Sequence, residues 1–194
     1  MRFLTETRHS PDKNSKPKLI RPAVFILLGI PVLFLAGSLL HFLYRLSGER
    51  IIVGLVAPVN ESVFEHIKMV PLPLTLWWSI CFLFQRRSLP ADIWFTSALA
   101  AMGTAVVCIP MLYYFYTEAF GVELIVVDIL ILLLAVTAGQ AVGLHYYRHG
   151  RGMNGRLAFA LLVGILVLFA LFTVNPPEIP LFLDVSNGTY GLSR

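Results

Sequence analysis

Five stretches of this chain are long, apolar and almost free of charge, and they constrain its fold more than any motif does. They run over about Pro22–Tyr44, Ser62–Phe84, Asp92–Tyr116, Val122–Tyr147 and Arg156–Val174. At 1.5 Å of rise per residue, each is long enough as a helix to cross a hydrocarbon core of about 30 Å. Backbone inside a bilayer must satisfy its own hydrogen bonds, which leaves helices or a closed barrel. Continuous apolar runs of this length, without strict alternation, select helices. Composition agrees. The chain is 57% hydrophobic and only 13% charged, against roughly 25% charged in soluble domains. The predicted fold class is therefore all-α, an integral membrane bundle of about five transmembrane helices. It divides into a basic cytoplasmic tail over 1–21 and a single transmembrane domain over 22–194, which closes in an apolar, Pro-rich segment on the outer face.

The formal net charge of +4 does not point to nucleic acid, because the basic residues sit at segment ends and form no patch on a folded domain. They set topology instead. Arg2, Arg8, Lys13, Lys16, Lys18 and Arg21 precede the first span. Arg86 and Arg87 follow the second, and Arg148, Arg151 and Arg156 lie between the fourth and fifth. The opposite side has Arg45, Arg50 and Arg194, but also Glu49, Glu61, Glu118, Glu123, Glu178 and Asp184. The expectation is a multi-pass protein of the cell membrane, N-terminus cytoplasmic and C-terminus outside.

Cys81 and Cys108 fall in apolar segments at different depths, so no bridge is expected between them. Residues 51–57 are apolar but too short to span, and read as an interfacial piece or one dipping into the bundle mouth. Residues 175–184 carry three prolines and cannot form regular helix, yet are apolar enough to fold back over the outer face.

The segment Ala57-Pro-Val-Asn-Glu-Ser62 and the following Glu65-His66-Ile-Lys68 concentrate ionisable groups where the second span begins. Charges near a membrane core are expensive and need a structural or functional reason. Ser62 and Glu65 form a capping-box pattern, in which each side chain reaches the other residue's amide. Capping alone would account for Glu65. It needs neither His66 nor Lys68. Lys68 lies about 9 Å below the helix start, and Glu65 is one turn away as a partner. His66 points about 100° away from Glu65. His41 lies about one turn below the outer end of the first span, and Asp128 about 9 Å inside the fourth. His41, Glu65, His66, Lys68 and Asp128 thus share one narrow layer.

That layer could hold a metal or do acid–base chemistry. His41, Glu65, His66 and Asp128 are the candidate ligands for a divalent ion such as zinc. Glu61, Glu65, His66, Lys68 and Asp128 are the candidate catalytic groups. His145 and His149 have i,i+4 spacing, but with Tyr146, Tyr147 and Arg148 they read as an interfacial belt. Tyr113, Tyr114 and Tyr116 read as the outer aromatic belt, and Trp77, Trp78 and Trp94 as serving the inner half. Gly139-Gln-Ala-Val-Gly143 is a GxxxG, for close packing within the bundle or a dimer face. Gln140 is expected to bond a neighbouring helix. Pro71 and Pro73 should interrupt the second span.

The run from His41-Phe-Leu-Tyr44 through Ser47-Gly48 and Val53-Gly-Leu to Ala57–Lys68 resembles a family of small bacterial multi-span membrane proteins of unknown function. Asp128, the Pro180-Leu-Phe segment with Asp184, and Gly188-Thr-Tyr-Gly191 are similar to it too, and the likeness covers most of 25–192. One departure is Val63, where the family motif carries Trp. The resemblance implies a bacterial multi-span protein and brings no activity with it.

Three functions stay open from the sequence. The leading one is a membrane-embedded, metal-dependent enzyme or ligand-binding protein, acting on a lipid or small molecule at the outer leaflet. The second is a small transporter or channel, a homo-oligomer. The third is an accessory or assembly subunit of a membrane complex. The partner common to all is the lipid bilayer, and nucleic acid is excluded.

Overall fold

The computed structural model describes residues 21–192. The basic tail, Arg21 excepted, and Arg194 lie outside the described residues. Among the described residues, five helical segments are long and apolar enough to span a membrane: Pro22–Leu46, Val63–Gln85, Ala91–Phe120, Ile125–His149 and Gly155–Val174. The chain is an all-α membrane bundle, as its apolar runs require. In chain order the elements are α1 (Pro22–Leu46), a short α2 (Ile51–Gly54), α3 (Val63–Ile67), α4 (Pro71–Gln85), α5 (Ala91–Phe120), α6 (Ile125–His149) and α7 (Gly155–Val174). A turn over Pro180–Phe182 leads into β1 (Leu183–Asp184), which pairs antiparallel with β2 (Thr189–Tyr190). This two-residue hairpin is too short to leave a periodic signal in the sequence.

The second span is broken rather than merely kinked. α3 ends at Ile67, and α4 restarts with Pro71 in its first turn. Proline is tolerated there, because the first-turn amides have no partner inside the helix.

α5 packs most extensively against α6. The GxxxG glycines explain the close approach. A Cβ on Gly139 would come within 2.6 Å of the Ala101 carbonyl, and one on Gly143 within 3.0 Å of Ala101 Cβ. The motif is thus spent on packing inside the bundle. Trp78 and Trp94 are fully buried, so the belt expected for them is corrected: they are core residues. Trp94 Nε1 donates to the Trp78 carbonyl, and Trp78 Nε1 to Gln140 Oε1. Gln140 Nε2 in turn donates to the Ile26 carbonyl of α1 (2.8 Å), the interhelical bond its place in a span called for. Outside this core, apolar side chains such as Leu39, Val107, Leu134 and Leu171 stand exposed on the helices. In water such a surface would be a liability, whereas in lipid it is the required one.

Chain alternation brings the end of α1, the start of α3, the end of α5, the start of α6 and the end of α7 to one end of the bundle. The C-terminal segment folds onto that same end. Phe182 is buried and stacks on Phe64 at 4.3 Å, and Phe64 stacks on Phe169 of α7 at 4.9 Å. Gly191 sits at φ +53, where a Cβ would lie 2.4 Å from the Thr173 carbonyl. Only glycine lets the chain pass this close.

Candidate functional site

The turn from Pro58 to Ser62 is where the ionisable residues divide. Ser62 is extended and caps α3, accepting from the Glu65 amide at 3.4 Å. The reciprocal half of the capping box is not made. The Ser62 amide donates to Asn60 Oδ1 instead (3.0 Å), which frees the Glu65 carboxylate to turn inward.

There it meets Lys68 one turn below. Lys68 Nζ lies 2.6 Å from Glu65 Oε2 and donates to the Gly54 carbonyl (2.7 Å) and Thr173 Oγ1 (2.8 Å). Glu65 Oε2 also accepts from the Val59 amide at 3.0 Å. Thr173 Oγ1 lies 3.1 Å from Glu65 Oε1 and 3.0 Å from the Phe169 carbonyl, and its single proton serves one of them. An ammonium has three donors, and all three are used. Glu65 is 1% exposed and Lys68 2%. This pair is closed. It ties the α2 turn, the 57–62 loop, α3 and α7 together, and leaves nothing for a ligand.

Glu61 faces the other way. Its Oε2 lies 3.5 Å from His66 Nε2 and 3.8 Å from His41 Nε2, while Oε1 lies 3.4 Å from Arg45 Nη2. The His41 and His66 rings stack at 5.4 Å. One donor atom from each of His41, Glu61 and His66 falls within 4.8 Å of the others. Ligands about 2.1 Å from a tetrahedral ion lie roughly 3.4 Å apart, so only small adjustments would close this triad on a metal. The other nitrogen of His66, Nδ1, is 2.9 Å from the Ser62 carbonyl. As a donor to that carbonyl it presents Nε2 with a free lone pair, the arrangement that orients metal-binding histidines. His41 Nδ1 is buried and has no hydrogen-bond partner among the described residues. Such an orphan calls for an explanation.

The C-terminal hairpin holds this loop. The Glu61 amide donates to Asp184 Oδ2 (3.1 Å), and Asn60 Nδ2 donates to the Gly191 carbonyl (3.1 Å). Burial works against charge on Asp184. Hydrogen bonds from the Ser186 hydroxyl, the Glu61 and Ser186 amides and Asn187 outweigh it, and hold its carboxyl below the usual carboxylate range.

Beside the triad a cavity of about 670 Å³ opens between α1, α3, α5 and α6. His41, Glu61, His66, Glu123 and Asp128, with Ser38 and Tyr113, supply its polar lining, and Phe34, Leu35, Met69, Ile109, Ile131 and Leu132 much of its apolar wall. Leu35 on α1 and Ile125 on α6 line the cavity and are also 60% and 75% exposed on the lipid-facing surface. Both helices thus border the cavity with exposed apolar side chains. Asp128 Oδ1 accepts from Tyr116 (2.7 Å), and Glu123 Oε1 accepts from Tyr113 (2.6 Å). These tyrosines bond carboxylates rather than serve as a simple belt.

Of the predicted site residues, His41 and His66 come together, with Glu61 between them. Asp128 lines the same cavity but is bonded to Tyr116. Glu65 and Lys68 belong to the closed pair, which corrects Glu65 as a ligand: its oxygens are taken by Lys68, Val59 and Thr173. At the opposite end His149 Nδ1 lies 3.1 Å from the His145 carbonyl, with both rings exposed. Sequence reasoning missed Thr173, although it is the one polar side chain in the apolar stretch 157–174. It also gave Glu123 no role, since a carboxylate at a span end is ordinarily just solvated.

Fold and site together define a multi-pass helical membrane protein that gathers its ionisable groups at one end of the bundle. More particularly, the chain belongs to the family of unknown function DUF6512, whose model matches residues 15–192. No curated protein and no solved structure matches it significantly.

Proposed function

We propose that this protein binds a divalent transition metal through His41, Glu61 and His66, and uses it to hold the polar end of a membrane amphiphile lodged in the adjoining cavity. The single observation that carries this reading is the triad at the polar end of an apolar cavity bordered by exposed side chains of α1 and α6. Two imidazoles and one carboxylate are a donor set suited to zinc and its neighbours, and three protein ligands leave a coordination position for a ligand oxygen. A cavity of this size lies in the ~300–1,000 Å³ range of small-molecule sites. Whether the amphiphile is only bound or also transformed, Asp128 is the nearby candidate acid–base group, whereas Glu65 and Lys68 serve the fold.

The excess of arginine at the far end (Arg86, Arg87, Arg148, Arg151 and Arg156) supports an N-terminus in the cytoplasm and a site at the outer leaflet of the cell membrane. The single domain then runs over 22–194, after a basic tail. A transport reading draws less support. Gln140 is fully buried and engaged by Ile26 and Trp78, and Thr104 and Thr137 bond their own helix backbones.

Metal analysis of the purified protein tests the reading. The wild type, loaded with zinc and passed over a desalting column, should keep one ion per chain. His66→Ala and Glu61→Gln should lose it while remaining monodisperse in detergent. A wild type that retains no transition metal would sink the proposal.

A further inference from the structure

The cavity lining is asymmetric in charge. It includes three carboxylates, Glu61, Glu123 and Asp128, and no lysine or arginine among the described residues. In the metal reading Glu61 is consumed by the ion. Glu123 and Asp128 remain. Each has one oxygen bonded by a tyrosine hydroxyl, and the second oxygen of each has no donor among the described residues. One cavity therefore offers a Lewis-acidic point at His41–Glu61–His66 and a pair of carboxylates with acceptor capacity to spare. A ligand matching both must carry an anionic oxygen for the ion and hydrogen-bond donors on a cation for the carboxylates. A headgroup bearing only negative charge would meet Glu123 and Asp128 with nothing to offset them. Apolar residues continue from this polar end, and Leu35 and Ile125 border the cavity while also standing exposed on the outer surface.

We infer that the occupant is an aminophospholipid, its phosphate oxygen on the metal, its primary ammonium on Glu123 and Asp128, and its tails leaving sideways between α1 and α6 into the bilayer. This rests on the metal reading for the phosphate but not for the amine. The ammonium is the specificity determinant. Charge-assisted hydrogen bonds to it are the strong kind, and a quaternary amine has no N–H with which to make them. An interaction of that strength makes at least about a tenfold difference in affinity.

The test is competition for the full-length, zinc-loaded protein in detergent. Phosphatidylethanolamine, phosphatidylcholine and phosphatidylglycerol of matched acyl chains are followed by native mass spectrometry, and zinc content is measured on the same samples. Phosphatidylethanolamine should be retained at least about tenfold more than either of the others. Glu123→Gln and the Glu123→Gln/Asp128→Asn pair should lose that preference with zinc content unchanged. Because Glu123 is exposed, its variant does not threaten folding. Ile129→Trp, which adds bulk to the cavity wall on the α6 side, should lose all three lipids and keep zinc. Zinc bound with equal retention of the three lipids overturns the inference, as does a preference that survives Glu123→Gln/Asp128→Asn or Ile129→Trp. No zinc but a preference abolished by Glu123→Gln would sink the metal reading and leave the amine site standing. Neither zinc nor preference would sink both.

Discussion

Glu61 and Glu65 lie one turn apart in sequence and serve opposite ends. Glu65 is fully buried, faces one cation, and shares every remaining bond with the backbone or Thr173. Glu61 is half-open, faces two histidines and an arginine at 3.4–3.8 Å, and completes a three-residue donor set with His41 and His66. Both carboxylates are costly so near a membrane core. One cost is met within the chain, while the other site keeps unused donor capacity. A saturated buried pair anchors a fold; an unsaturated cluster at a cavity is where a ligand can change something. The contrast also explains how one short segment carries both kinds of residue: the turn at Asn60 and Ser62 points successive side chains to different neighbours.

The contrast can be broken most directly at Lys68. Lys68→Met leaves Glu65 buried without a cation and should cost about 3–5 kcal/mol, read as a large fall in the detergent melting temperature or loss of folded protein. Glu65→Leu combined with Lys68→Met should be more stable than either single variant, because it removes both charges. A Lys68→Met protein that melts like wild type would mean the pair is not closed after all.

Thr173→Val sharpens the same point. The substitution keeps shape but removes the hydroxyl between Lys68 and Glu65. It should cost about 1–3 kcal/mol with bound zinc unchanged. On the open side the order reverses. Glu61→Gln removes a partly exposed charge and should move the stability of the metal-free protein by no more than about 1 kcal/mol, while zinc retention is lost. If Glu61→Gln unfolds the protein as Lys68→Met does, the division between the two carboxylates fails.

How much of this was legible beforehand follows from the range of each interaction. The spans came from composition over twenty-odd residues, a signal that no tertiary detail overrides. The shared layer of His41, His66 and Asp128 came from helix rise alone. The pairing of Glu65 with Lys68 was readable from their spacing. Spacing could not say that Glu65 would thereby be lost as a ligand, because that depends on Val59, Gly54 and Thr173 meeting at one point. Trp78 and Trp94 were misread for a related reason. Tryptophan favours interfaces when its N–H needs water, but here Gln140 and a helix carbonyl satisfy it inside. Asp184 was given no role, since the amide that donates to it from the 57–62 loop, at Glu61, lies more than a hundred positions away.

Asp184 gives the smallest expected effect and a check on what holds the open side in place. It anchors the loop carrying Glu61 through the Glu61 amide and makes no bond to the triad's side chains. Its folded pKa is depressed, so its contribution is fully present above the unfolded value near ~3.9 and is lost as pH falls through the lower folded value. Hydrogen exchange at the Glu61 and Ser186 amides should therefore show steady protection from neutral pH to about 5, once corrected for intrinsic rates, and loosening only below about 4. Asp184→Asn should abolish that acid step and leave the Lys68–Glu65 amides unchanged. Loosening that begins between pH 7 and 5 would point to the histidines instead of Asp184. The loop would then be held by the open cluster itself, and the two halves of the segment would be less independent than their geometry indicates.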